Sequence, residues 1–119
     1  ELDYDVVFPG LSRAFATSVS DTVSANGGKA WVSFTIQAGA RYWIDGCNTN
    51  LDVFILPESE LSNFTGGRQF SYYSDYSGLS AAELPGADEL KLPPGKYYVA
   101  FRNPQTTPGA YVMTLEAWQ

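Results

Sequence analysis

Leu92-Pro-Pro-Gly-Lys-Tyr-Tyr-Val-Ala-Phe-Arg-Asn103, followed by Ala110-Tyr-Val-Met-Thr-Leu-Glu-Ala-Trp118, decides the fold. Pro93, Pro94 and Gly95 cannot lie inside a helix or a central strand, so they make a turn. Beyond it Tyr97, Val99 and Phe101 share one face, and Tyr98, Ala100 and Arg102 the other. This period of two, dense in aromatic and β-branched side chains, marks a half-buried strand. Residues 104–109 turn again, and Tyr111, Met113 and Leu115 then alternate with Val112, Thr114 and Glu116. The two strands read as a β-hairpin with a loop too long for the tight two-residue type.

The same pattern recurs upstream. Asn26-Gly27-Gly28 signals a turn. Ala30 to Gln37 puts Val32, Phe34 and Ile36 on one face and Trp31, Ser33 and Thr35 on the other. Ala38-Gly39 leads into Arg41 to Asp45, with Tyr42 and Ile44 inward and Trp43 outward. Leu51, Val53 and Ile55 alternate with Asp52, Phe54 and Leu56. Pro57 to Leu61 suits one helical turn, with acids where a helix start favours them. Arg68 to Ser77, rich in tyrosine, reads as a further strand, and Leu79 to Asp88 as a loop with a helical turn at Ser80 to Glu83. Glu89 to Leu92 is a short strand. Before all these, Ser12 to Ala25 gives one or two edge strands, and Val6-Val7-Phe8 within the lead-in 1–11 adds another.

About eight short strands at roughly ten-residue spacing predict an all-β fold, a two-sheet antiparallel β-sandwich of jelly-roll-like form. With 119 residues and no internal repeat, the chain reads as one domain, residues 1–119.

Composition excludes several functions. The net charge is −6, and the seven basic residues are scattered, so nucleic acid is a poor partner. No apolar run approaches the roughly 20 residues that span a bilayer. The chain has no histidine, which removes Ser-His-Asp and Cys-His catalysis and histidine-bearing zinc sites. Carboxylate pairs such as Asp45 with Asp52, or Asp75 with Asp88, sit among Asn, Ser and Gly, and are expected to be solvated loop acids rather than a catalytic pair. The single cysteine, Cys47, precludes an internal disulfide and reads as a small buried hydrophobe. The opening Glu1-Leu2-Asp3 is compatible with a removed signal peptide or with a start inside a larger protein.

Two constellations remain. Asp45, Asn48, Asn50 and Asp52 place four oxygen-bearing side chains within eight positions, a candidate calcium loop; the competing reading is turn chemistry. The second is aromatic. Trp31, Trp43, Phe54, Tyr73 and Tyr98 fall on faces opposite the core pattern, and Phe70 to Tyr76 adds Tyr72, Tyr73 and Tyr76. Trp43, Phe54, Tyr72, Tyr73 and Tyr76 are therefore the candidate ligand-binding face; the competing reading has them covering the second face of a sheet.

The order of Val32 to Gly39 with Tyr42, Leu51-Asp52-Val53-Phe54-Ile55, Gly95-Lys96-Tyr97-Tyr98-Val99 and Tyr111 to Leu115 resembles the bacterial pre-peptidase C-terminal domain family. The likeness covers residues 30 to 117, with Asn50-Leu51-Asp52 where the family carries an acidic pair. It implies a non-catalytic accessory module of an exported bacterial protein, secreted, periplasmic or on the cell surface. Its partner would be a carbohydrate or protein polymer, or a neighbouring domain of the same protein, with no cofactor beyond calcium. The alternative is a structural or adhesion module in which Tyr72, Tyr73 and Tyr76 pack against another chain.

Overall fold

A computed structural model describes residues 13–119 apart from position 87. The expected edge strand at Val6 to Phe8 lies outside the described residues. Among the described residues seven strands form two antiparallel sheets: β1 (Arg13–Val23), β2 (Gly28–Ile36), β3 (Arg41–Asn48), β4 (Asp52–Pro57), β5 (Asp88–Glu89), β6 (Gly95–Asn103) and β7 (Gly109–Trp118). One sheet has the order β1-β7-β3-β5 and the other β2-β6-β4. Successive strands alternate strictly between the sheets, the winding of a jelly-roll-like sandwich.

The inward faces are the ones the alternation predicts. Tyr97, Val99, Phe101, Tyr111, Met113 and Leu115 are all buried, together with Phe34, Ile36, Tyr42, Ile44, Leu51, Val53 and Ile55. The Phe101 and Tyr111 rings stack with centroids 3.9 Å apart, joining the central strand of one sheet to that of the other.

The expected hairpin is not formed. β6 pairs with β2 and β4, whereas β7 pairs with β1 and β3, so residues 104–108 arch across the sandwich. Alternation shows which side of a strand meets an apolar interior; it carries no information about which strand lies beside it. Asn103 holds the arch. It is fully buried, its Nδ2 donates to the carbonyls of Val23 (3.1 Å) and Thr107 (2.9 Å), and its Oδ1 accepts from the Gln105 amide (3.0 Å). Gly109 follows because a Cβ there would sit 2.7 Å from Thr49 Oγ1 and 2.8 Å from Leu51 Cδ2.

Five further expectations are corrected. Arg68 to Ser77 contains no strand: it crosses the edge of β4 irregularly, with a short 3-10 turn at Ser74–Tyr76. Its rings pack into two different clusters, which a regular extended strand could not arrange. The helical turn at Pro57 is longer than predicted, a 3-10 turn at Glu58–Glu60 running into α1 (Leu61–Thr65). Cys47 is exposed, because β3 directs Tyr42 and Ile44 inward and so turns Cys47 outward. Ser12 to Ala25 resolves into the single strand β1, and the expected Glu89 to Leu92 strand into the two residues of β5.

Removing the arch amide should be costly. Asn103→Ala leaves the buried Val23 carbonyl, the Thr107 carbonyl and the Gln105 amide without this partner, and we expect a loss of about 1–3 kcal/mol in urea unfolding. Burial, with a smaller contribution from Asp21, raises the Tyr111 phenol above its ordinary pKa, and burial with Tyr73 raises that of Tyr97. The folded state therefore favours the neutral phenols. Their contribution is complete below about pH 10, the unfolded value, and declines as pH rises through the higher folded values. Stability measured from pH 8 to 11.5 should fall at the alkaline end, and Tyr111→Phe should flatten that fall.

Candidate functional site

The outer face of the β2-β6-β4 sheet is built in rows by the strand register. Lys29, Arg102 and Asp52 form one row, Trp31, Ala100 and Phe54 the next, then Ser33, Tyr98 and Leu56, and finally Thr35 and Lys96. The excursion from Glu58 to Phe70 covers the β4 half of this face. Phe54, Leu56, Phe64 and Ala100 make a second buried cluster, with Leu61, Phe70 and Tyr98 packed against it. Phe54 meets Phe64, Phe70 and Tyr72 edge-on at centroid distances of 6.0, 4.9 and 5.1 Å. Arg68 closes the excursion: its guanidinium donates to the Ser62 carbonyl in the first turn of α1 and to Asn63 Oδ1.

The β2 half remains open. Trp31 is 44% exposed on a strand fully paired along β6, and Ser33 and Thr35 beside it are exposed as well. Trp31 lies opposite Ala100 and Ser33 opposite Tyr98, which makes Trp31 and Tyr98 diagonal neighbours, about 7 Å apart at the backbone. Lys96 reaches over the Tyr98 ring at 5.5 Å and approaches Glu58 at 3.9 Å. The result is an exposed face of Trp31, Ser33 and Thr35, bordered by Tyr98, on a strand paired along its whole length.

The five predicted aromatic residues do not form one surface. Phe54 and Tyr72 are brought together, but Phe54 is only 3% exposed, so Tyr72 alone of that pair meets solvent. Tyr73 packs on Tyr97 at 5.9 Å, and the Tyr76 hydroxyl accepts from the Lys91 amide at 3.0 Å, both at the margin of the main core. Trp43 is half-buried on the opposite sheet, under the Arg41 guanidinium at 4.9 Å. Arg41 in turn holds Glu89 in a bidentate pair at 2.9 and 3.0 Å. That hydrogen bond keeps the Glu89 carboxyl below its ordinary pKa. Trp31 and Tyr98, outward-facing in the sequence pattern, are the pair that the register unites. The covering excursion separates them from the tyrosine-rich run, and nothing in the pattern foretells where it lies.

Two of the proposed calcium ligands, Asn48 and Asp52, are engaged by distant parts of the chain. Asn48 Nδ2 donates to the carbonyls of Ala81 and Leu84, both at 2.7 Å, and its Oδ1 accepts from the Leu51 amide. Asp52 accepts from the Ser80 amide at 2.9 Å and from Arg102 Nε at 3.1 Å. Asn50 adopts a positive φ of 62°, a turn role that Asn tolerates. Asp45 is exposed on β3. Among the described residues no group of three or more acidic or cysteine side chains converges as a metal site.

No protein-family model matches the chain, and no curated protein matches it in sequence.

Because Asn48 and Asp52 have committed their oxygens, millimolar calcium should leave the melting temperature unchanged. A rise of several degrees, abolished in Asp52→Asn, would place an ion in this loop.

Proposed function

We propose that this chain is a non-catalytic binding module of an exported bacterial protein, and that it holds a polysaccharide chain against the open half of the β2-β6-β4 sheet. The observation that carries the reading is Trp31, an exposed indole on a rigid strand, flanked by Tyr98 and by the hydroxyls of Ser33 and Thr35. The flat carbon face of a sugar ring stacks on such a plane, and hydroxyl groups beside it exchange hydrogen bonds with the sugar. A side chain already held by a sheet loses little freedom on binding, so more of the contact energy appears as affinity. The resemblance to pre-peptidase C-terminal domains supports the exported location and the accessory role. A protein polymer is the second reading, since tryptophan also anchors protein interfaces.

Retention on insoluble polysaccharides of several linkages and on fibrous protein, with depletion from solution as readout, tests this. Wild-type protein should be retained on at least one polysaccharide. Trp31→Ala should weaken retention at least tenfold with an unchanged fold by circular dichroism, and Tyr72→Ala should behave as wild type. Equal retention of wild type and Trp31→Ala would overturn the assignment of the face; retention on fibrous protein alone would favour the second reading.

A further inference from the structure

The edges of the two sheets are treated unequally. A sheet edge exposes a row of amide and carbonyl groups that invites another strand, and proteins blunt such edges with covers, charges, bulges or brevity. β4 is covered: Val53 exchanges both backbone hydrogen bonds with Gly78, the Tyr73 amide donates to the Ile55 carbonyl, and the Ala81 amide to Leu51. β5 is two residues long. β1 has an irregular register between Arg13 and Phe15, and Asp21 draws the Thr22 amide to its own carboxylate at 2.8 Å.

β2 has no cover, bulge or proline among the described residues, and its one charge, Lys29, lies near its start. Its nine residues, Gly28–Ile36, pair with β6 in unbroken register and contain no proline and no acid, with Lys29 the sole charge. In a chain of net charge −6, this is the long edge where two copies meet without opposing carboxylates.

We propose that two copies of this chain associate by antiparallel pairing of β2 with β2, forming one continuous six-stranded sheet. Full overlap of Gly28–Ile36 with its twin puts the two-fold axis at Val32, the strand midpoint. Trp31 then lies opposite Ser33 of the second copy, Ala30 opposite Phe34, and Lys29 opposite Thr35. Each contact occurs twice, as a two-fold interface requires. On the inner face the half-buried Ala30 and Val32 gain apolar neighbours. On the outer face the two Trp31 side chains become diagonal neighbours across the junction, which removes exposed indole surface from water. Tyr98 and Trp31 of both copies would then line up across four adjacent strands, spanning about 14 Å between the outermost backbones. The pairing stands whether or not that face takes a polysaccharide.

Sedimentation velocity from 10 µM to 1 mM, without any glycan, is the test. Wild-type protein should shift from one-chain to two-chain species with concentration, with β2 amides gaining protection in hydrogen exchange over the same range. Ser33 is exposed, so substitutions there leave the monomer fold intact, checked by thermal melting. Ser33→Asp and Ser33→Lys each place like charges diagonally across the axis, and each should remain a single chain. An equimolar mixture of the two should regain the two-chain species. A single-chain wild type at 1 mM, or a two-chain species indifferent to both substitutions and without β2 protection, would overturn the proposal.

Discussion

The sandwich depends on one buried carboxamide. Asn103 ends the central strand of one sheet, and through Val23, Gln105 and Thr107 it fixes both the exit of β1 and the arch that carries the chain to the other sheet. All its partners are backbone groups, and that to Val23 is fully buried, so the amide supplies there the hydrogen bond that water cannot. The stacked Phe101 and Tyr111 rings lie beneath that arch and set the separation of the sheets there. Without the crossing at residues 104–108, the same two strands could pair as neighbours, and β1 and β3 would lose their common partner.

The two hydrophobic clusters have different roles. The main one lies between the sheets and makes the domain. The second lies outside the three-stranded sheet, where Phe54, Phe64 and Phe70 meet edge to face under a short helix. Two cations rest on its rim: Arg102 over Phe54 at 5.1 Å and Lys29 over Phe64 at 5.6 Å. Arg102 also neutralises Asp52, which is only 5% exposed. By covering half of the sheet face, this cluster defines the open half, and Trp31 stands at the boundary.

Much of the architecture was legible in the alternation of Tyr97 to Phe101, Tyr111 to Leu115, Leu51 to Ile55 and Tyr42 to Ile44, because burial on one face leaves a period of two. Pairing was not legible, since Phe101 shows the same pattern whether Tyr111 lies beside it or opposite. The tyrosine-rich segment misled for a related reason. Aromatic side chains favour strands because they pack on a pleated surface, and Tyr72 and Tyr73 do pack on one, while their own backbone stays irregular. For the candidate face, the outward direction of Trp31 and Tyr98 was readable, but their adjacency required the β2–β6 register. The oxygen-rich loop around Asn48 was visible as a cluster, yet only coordinates show Asn48 bound to Ala81 and Leu84, more than thirty positions away.

The strict alternation of strands between sheets also governs when the molecule can form. Among the described strands none finds its hydrogen-bonding partner in the next one, and β1 pairs only with β7, a pairing that joins Arg13 to Trp118. Among the described strands every pairing therefore joins segments that are not consecutive, and β1 cannot pair until β7 is available. Loop-closure entropy makes such non-local folding slow.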